Sequence, residues 1–225
     1  MDPNAHLLLR NNLPRRFPAS VFIRVRSCWA RRLPPLLLLA LLATFTGCGK
    51  TETPLRRFNQ VADFDLTERS GRKITRADLM GKILVVDFFF AGCSAECIAL
   101  AWRMTEIQRL TVGFTNVVLV SITVDPRSDT PERLTRYADQ YFADRDRWLF
   151  LTGDKQALHH LIKTSFLLPA AENEQARAAL EGSFIHSDKI VLVDATGTVR
   201  AYYDSKESDS GKKVLADIKQ LLREE

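Results

Sequence analysis

Two cysteines, Cys93 and Cys97, stand where a short apolar segment gives way to a helical pattern. The segment from Ile83 to Phe90 is apolar, β-branched and aromatic, and it is too short to span a membrane, so it is typical of a fully buried strand. After a small-residue turn and the two cysteines, apolar residues recur at helical spacing as far as Leu110. Paired thiols between a buried strand and a helix indicate a chemical site.

The predicted helix influences what the two thiols can do. If the helix already includes Cys93, residues four apart share a face, and both sulfurs point the same way. The free N–H groups and the dipole at a helix N-terminus also favour the thiolate over the thiol. In an exported protein such a pair is usually a structural disulfide. A structural disulfide and a reversible dithiol that binds metal when reduced therefore both remain open.

The basic balance of the chain belongs to its first 47 residues. The whole sequence has a net charge of +5, whereas residues 1–47 hold seven arginines and one acidic residue, Asp2, for a net charge of +6. The remainder is close to neutral, which gives no support to nucleic-acid binding. We therefore expect no nucleic-acid partner.

Residues 1–47 also have the features of an export signal. Several arginines precede an apolar stretch that begins at Leu33, and small residues stand before Cys48. The apolar part is shorter than the roughly 20 residues of a spanning helix. Phe45-Thr46-Gly47-Cys48 resembles the lipobox of bacterial lipoproteins, which implies cleavage before Cys48 and lipidation of its thiol. An ordinary signal peptide and a mitochondrial presequence are the alternatives.

Strands alternate with helices along the rest of the chain. We expect three segments: an N-terminal extension and export signal over residues 1–47, an anchor cysteine and polar tether over 48–57, and a folded domain over 58–225. The stretch from Pro169 to Leu180 is expected to hold a helix within an insertion. The chain ends in a hairpin and a helix from about Ser210 to Leu222. This order predicts an α/β fold whose sheet is covered by helices on both faces.

Several side chains near the cysteines are expected to serve the fold. Asp125 ends a predicted strand and should turn the chain there, with a place beside a ligand as its alternative role. Asp129 or Thr130 is the expected N-cap of a helix that has Pro131 in its first turn. Buried positions in the core are predicted for Trp102, Met104 and Trp148.

Four segments of the chain occur in the order of one known family: FFFAGCSAEC, SITVDPRSDTPERL, WLFLTGDKQAL and FIHSDKIVLVDATGTVRAYYD. Together they resemble the Sco/SenC family of copper chaperones for cytochrome c oxidase assembly, within the thioredoxin superfamily. The resemblance covers most of residues 58–222 and implies a thioredoxin-like fold, with a central mixed β-sheet flanked by helices on both faces. The family loop has a proline directly after each cysteine, where this chain has Ser94 and Ile98.

The resemblance implies a copper site formed by Cys93, Cys97 and His186. Two thiolates and one imidazole are a soft, low-coordinate donor set that suits Cu(I), and the resemblance extends this to Cu(II). An open site with three ligands also fits a protein that must release its metal better than a closed zinc site does. A solvated loop histidine is the alternative for His186.

The resemblance further implies delivery of copper to the binuclear copper site of cytochrome c oxidase subunit II. A copper donor chaperone and a thioredoxin-like periplasmic reductant are the other implied partners, together with a membrane reached through the lipid anchor. The expected location is on a membrane, facing the periplasm or the cell exterior. The mitochondrial inner membrane is the alternative.

Asp87 supports a second function. It lies six residues before Cys93, where thioredoxin has a buried acid that helps to move protons during disulfide exchange. Burial in an apolar strand should raise the pKa of this carboxyl, which suits proton transfer, although an acid that only fixes local structure is an equal alternative. A thiol-disulfide oxidoreductase is thus the alternative function. The Cys-x-x-x-Cys spacing, wider than in thioredoxins, and the lack of any proline after Pro169 count against it. A redox or copper sensor is a third alternative.

Overall fold

The computed structural model of the protein describes residues 53–92, 95–166 and 188–224. For residues 95–97 it describes the backbone only. The predicted export signal with Cys48 and the predicted helix from Pro169 to Leu180 lie outside the described residues.

Seven strands and five α-helices alternate along the described residues. Strands β1 to β7 are Asp65–Glu68, Lys73–Thr75, Ile83–Phe89, Val117–Thr123, Trp148–Thr152, Lys189–Val193 and Val199–Asp204. Helices α1 to α5 are Arg76–Leu79, Ala95–Leu110, Pro131–Gln140, Lys155–Leu161 and Ser210–Glu224, and a π-helical turn, Ile162–Phe166, continues α4. The predicted alternation, the closing hairpin and the closing helix are confirmed.

The strands form one mixed sheet in the order β2-β1-β5-β4-β3-β6-β7. Pairs β3–β4 and β4–β5 are parallel, whereas β1–β2, β1–β5, β3–β6 and β6–β7 are antiparallel. Strand β3 lies inside the sheet, and all seven of its residues are buried. The predicted buried strand is therefore confirmed, and it leads directly to the Ala91–Gly92 turn that precedes Cys93.

Helices cover both faces of the sheet. Because side chains alternate along a strand, Val85 and Phe89 of β3 face one layer of the core, which α2, α3 and α5 complete. Val86 and Phe88 face the other layer, to which α1, α4 and the π-helical turn contribute. Each large apolar side chain buried in these layers contributes about 1.5–3 kcal/mol. Burial on two faces explains why the sequence of β3 is apolar without alternation.

Two of the three predicted core side chains are confirmed. Trp148 is 1% exposed and Met104 is fully buried. The prediction for Trp102 is wrong, because this side chain is 52% exposed. It lies away from the buried side of α2, and its ring makes an edge contact with Tyr141 at a centroid distance of 5.5 Å.

The chain enters the domain along β7, before the predicted start of the domain at residue 58. Leu55 packs against the core, and the backbone oxygens of Leu55 and Arg56 accept hydrogen bonds from the Arg200 guanidinium at 3.0 and 2.9 Å. The same guanidinium contacts Asp194 at 2.9 Å and Glu224 at 3.0 Å. This end of the sheet carries the N-terminal end of β3 and the C-terminal end of β6.

Within the described residues, no helix combines the length and apolarity needed to cross a membrane.

Candidate functional site

Strands β3 and β6 bring two distant parts of the sequence to one edge of the sheet. They pair antiparallel, so the C-terminal end of β3 lies beside the N-terminal end of β6. Strand β3 leads into Gly92, the residue immediately before Cys93. Asp188, two residues after His186, immediately precedes β6. The described residues that flank these two predicted ligands therefore lie at the same edge.

Most of the predicted ligands themselves fall outside the described residues. This applies to Cys93 and His186, and also to Cys48, the predicted lipidation site. Cys97 is the third residue of α2, and its side chain is outside the description. In the described ranges, no group of three or more His, Cys, Asp or Glu side chains could hold a metal ion. The ligand set stays a prediction.

The backbone position of Cys97 is chemically relevant because it lies in the first turn of α2. The first four N–H groups of a helix lack partners within the helix, and they give its N-terminus a partial positive charge. A thiol in such a place ionises more readily than a free one. The expectation that the thiolate is favoured here, as metal binding and disulfide exchange both require, stays a prediction.

Asp87 lies in the core layer shared with α2 and α3. It is 2% exposed, and its Oδ1 accepts a hydrogen bond from Ser121 Oγ at 2.5 Å. Ser121 Oγ in turn accepts one from the indole Nε1 of Trp148 at 2.8 Å. Burial raises the pKa of Asp87 to about 7, although the Ser121 hydrogen bond acts in the opposite direction. The predicted rise in pKa is confirmed, and the proton-transfer role stays a prediction.

Asp129 connects the turn before Cys93 to the end of β4. Its side chain is 1% exposed. Oδ2 accepts hydrogen bonds from the Ala91 backbone N–H at 3.0 Å and from Thr123 Oγ1 at 2.5 Å. The sequence offered Asp129 as one of two N-caps, and that role belongs to Thr130, whose hydroxyl accepts from the Arg133 backbone N–H. The prediction of Asp129 or Thr130 as the N-cap is therefore confirmed through Thr130, whereas the Asp129 carboxylate turns inward to the strand ends.

Arg133 fills the space above Gly92. Its Nε lies 3.5 Å from Asp129 Oδ1, and its side chain is 38% exposed. A Cβ atom built on Gly92 would lie 2.9 Å from Arg133 Nη2. A guanidinium thus lies against the residue that precedes Cys93. The sequence showed Arg133 only as a helix residue, and its spacing four residues after Asp129 was the available signal for this pair.

Ion pairs fix the start of β6. Asp188 contacts Lys206 at 2.8 Å and Lys189 at 3.4 Å, and Lys189 also contacts Asp204 at 2.9 Å. Burial opposes the ionised form of Asp188, but these lysines outweigh it and hold the pKa of Asp188 below its usual value. The start of β6 at Asp188 and Lys189, two to three residues after His186, is therefore held by charges of both signs.

Asp125 has the structural role that the sequence predicted. Its backbone oxygen accepts hydrogen bonds from the N–H groups of Ser128 and Asp129 at 3.2 and 3.0 Å. Its own N–H donates to Thr123 Oγ1 at 3.0 Å. These bonds turn the chain after β4 and bring Asp129 back to the end of that strand.

The amino-acid sequence is similar to those of several known proteins. The family model SCO1/SenC matches residues 52–223. A SCO1 protein homolog of Bacillus subtilis is 28% identical over 184 residues, which span 81% of this chain and 92% of the relative. A protein of Stutzerimonas stutzeri that is named for copper binding is 27% identical over 183 residues, which span 74% of this chain and 84% of the relative.

Structural comparison agrees with the family match. A SCO1/SenC family lipoprotein from Bacillus anthracis is 25% identical and has a TM-score of 0.64, over 76% of this chain and 99% of its own. BsSco, described as a member of the Sco family of cytochrome c oxidase assembly proteins with a disulfide switch, is 24% identical and has a TM-score of 0.65, over 77% of this chain and all of its own. The fold is therefore thioredoxin-like. The chain belongs to the SCO1/SenC family.

Proposed function

We propose that the protein is a copper-binding protein of cytochrome c oxidase assembly that carries copper to the binuclear copper site of oxidase subunit II. Family membership supports this proposal, because the Sco family is described as one of cytochrome c oxidase assembly proteins. The relative from Stutzerimonas stutzeri that is named for copper binding supports the choice of metal. Copper is cargo in this proposal, bound and then released.

The proposed ligands are Cys93, Cys97 and His186. The observation that carries this choice is the antiparallel pairing of β3 and β6, because it brings the residue before Cys93 and the start of β6 after His186 to the same edge of the sheet. Two thiolates and one imidazole suit Cu(I), and a site with three ligands leaves room for an incoming ligand from the acceptor protein. Ligand exchange can then transfer the ion without releasing it to water.

We also propose that Cys48 is lipidated after export and holds the domain on the membrane, facing the periplasm or the cell exterior. The Bacillus anthracis lipoprotein of the same family supports this location. A copper donor chaperone and a thioredoxin-like periplasmic reductant complete the proposed set of partners. The reductant is needed because copper binds the thiolates and not their disulfide.

A Cu(I) competition titration tests the proposed function. The full chain is purified in detergent, fully reduced, and titrated against a chromogenic Cu(I) chelator. We expect binding of one Cu(I) per chain, and we expect His186→Ala to weaken it at least tenfold. The matched control is His160→Ala, which removes an exposed histidine from α4. Equal affinities in the wild type and His186→Ala would remove His186 from the site, and absence of tight binding in the wild type would refute the proposal.

Asp87 favours a second candidate function, that of a thiol-disulfide oxidoreductase. Its pKa of about 7 lets the carboxyl accept or release a proton near neutral pH. In this reaction one thiolate attacks the disulfide of an exported protein, and the second displaces that protein from the mixed disulfide. The client gains two thiols while Cys93 and Cys97 become a disulfide.

A client-reduction assay tests this second function. The reduced protein is mixed with a disulfide-containing substrate such as insulin, and free thiols of the substrate are measured over time. We expect Asp87→Asn to slow the reaction and to flatten its dependence on pH between 6 and 8. If the protein reduces the substrate no faster than free glutathione does, the proposed enzyme function is refuted. The proposal of copper binding is not affected by that result.

A further inference from the structure

We infer that Asp129 is a positioning residue for the copper-binding loop. The carboxylate of Asp129 lies at the ends of β3 and β4, where it fixes the Ala91–Gly92 turn. We infer that this turn sets the position of Cys93, the next residue. This inference rests on the proposed function, in which Cys93 is a copper ligand. It gives a role to a buried charge that the folding of α3 does not require, since Thr130 already caps that helix.

The first support is the pair of hydrogen bonds at Asp129 Oδ2. One donor is the Ala91 backbone N–H, at 3.0 Å, and the other is the Thr123 hydroxyl, at 2.5 Å. Hydrogen bonds to an ionised carboxylate are shorter and stronger than bonds between neutral groups. Ala91 follows β3 and Thr123 ends β4, and these two strands are parallel neighbours. The carboxylate therefore ties the chain just before Cys93 to a fixed point of the sheet.

The second support is the guanidinium on the other oxygen of this carboxylate. Arg133 Nε lies 3.5 Å from Asp129 Oδ1, and the far end of the same side chain lies against Gly92. Gly92 does not have a left-handed φ. The glycine therefore leaves room for the close approach of Arg133 and is not required by an unusual backbone conformation. Asp129 thus acts on the turn twice, directly at Ala91 and through Arg133 at Gly92.

Positioning of this kind has measurable consequences for a metal site. Partners that orient metal ligands typically change metal affinity by 10- to 100-fold when they are removed. Asp129 acts on the backbone before the ligand and not on the ligand side chain. We therefore expect an effect near the lower end of that range.

A second buried aspartate of the same chemistry provides the matched control. Asp194 Oδ1 accepts hydrogen bonds from the N–H groups of Thr196 and Thr198, both at 3.0 Å, and its Oδ2 contacts Arg200 at 2.9 Å. Like Asp129, it is a buried carboxylate that organises a turn and pairs with an arginine. It lies at the opposite edge of the sheet. We expect Asp194→Ala to lower the stability of the fold but to leave the Cu(I) affinity nearly unchanged. A loss of affinity that occurs only in the Asp129 variants is then an effect of positioning and not of general destabilisation.

The test compares Cu(I) affinity in the full chain, reduced and in detergent, for the wild type, Asp129→Ala, Asp129→Asn and Asp194→Ala. We expect Asp129→Ala to weaken Cu(I) binding at least tenfold and Asp194→Ala less than threefold. Asp129→Asn keeps an oxygen for Ala91 and Thr123 but loses the charge that faces Arg133, so it should weaken binding by less than Asp129→Ala. If Asp129→Ala does not fold, Asp129→Asn decides the test with a threshold of threefold. The inference is overturned if the loss of Cu(I) affinity is smaller than these thresholds, or if Asp194→Ala loses as much affinity as the Asp129 variant. The proposed function is unaffected by either result.

If the wild type does not bind Cu(I) tightly, the proposed function fails and a second readout decides the inference. This readout is the equilibrium of the two thiols with glutathione disulfide, which forms the Cys93–Cys97 disulfide and releases two molecules of glutathione. Loss of Asp129 should lower the equilibrium constant at least tenfold, about 30 mV in reduction potential, because a loosened turn reduces the effective concentration of one thiol at the other. An unchanged constant, or an equal change in Asp194→Ala, overturns the inference.

Discussion

Replacement of Asp87 by Asn should make the protein more stable above neutral pH and remove part of its pH dependence. The carboxyl of Asp87 is fully buried, and its pKa is raised to about 7. In the unfolded chain the same group has an ordinary pKa near 3.8. The folded state therefore binds a proton more tightly than the unfolded state. The wild type then loses stability as pH rises between these two values. Asparagine never ionises, and it keeps an oxygen that can accept the Ser121 hydrogen bond.

The magnitude follows from the size of the shift. Between the two pKa values, each rise of one pH unit lowers the free energy of unfolding of the wild type by about 1.4 kcal/mol. The decrease stops once the pH exceeds the pKa of the folded state. Between pH 5 and pH 8 this amounts to about 3 kcal/mol. The free energy of unfolding of Asp87→Asn, minus that of the wild type, should rise by this amount over the same interval. Other titrating groups cancel in this difference because both proteins contain them.

Urea unfolding at pH 5, 6, 7 and 8, with the thiols kept reduced, measures this difference. Asp65→Asn is the matched control, because Asp65 lies on β1 with a side chain that is 64% exposed. We expect the control to follow the wild type at every pH. A rise below about 1 kcal/mol for Asp87→Asn would show that the folded protein solvates this carboxylate, and the argument from burial would be refuted.

Three further substitutions test other contacts. Ser121→Ala removes the hydrogen bond that lowers the pKa of the buried carboxyl, so the pH at which stability stops falling should move above 7 in the same urea series. Arg200→Met leaves Asp194 buried without its cation and should lower the free energy of unfolding by about 3 kcal/mol, measured by urea at pH 7. Gly92→Ala would displace Arg133 without backbone strain, so we expect Cu(I) affinity to fall at least threefold in the competition titration while the urea midpoint changes little. An unchanged affinity would show that contact between these two residues does not affect the site.

The elements of this fold were predictable because their signals are local. The apolar run of β3, the proline at the start of α3 and the turn before β7 are each encoded within about ten residues, and each is confirmed. The position of Cys97 at the beginning of a helix follows from the same local pattern. The burial of Asp87 was also predictable, because its neighbours on both sides are apolar.

The contacts that arrange the site were not predictable, since they join residues far apart in sequence. Asp129 reaches Ala91 across 38 positions, and Trp148 reaches Ser121 across 27. Local rules allow Asp129 or Thr130 as the N-cap, and the adjacent ends of two parallel strands give the Asp129 carboxylate its partners Ala91 and Thr123. Residue type alone predicts a core position for Trp102, whereas the pattern of α2 turns this side chain away from the sheet. The ligand set stays a prediction, because Cys93 and His186 lie outside the described residues.

The place where the chain joins the domain has a consequence for orientation. Leu55 and Arg56 are bound by Arg200 at the end of the sheet where β3 begins, and Gly92, the residue before Cys93, follows the other end of β3. If Cys48 is lipidated as proposed, the tether joins the domain at Leu55 and Arg56, at the end of the sheet remote from Gly92. The edge with the proposed ligands would point away from the bilayer, toward proteins that approach from the aqueous side. An acceptor site embedded close to the lipid surface would then be reached only if the few residues between the anchor and Leu55 allow the domain to tilt.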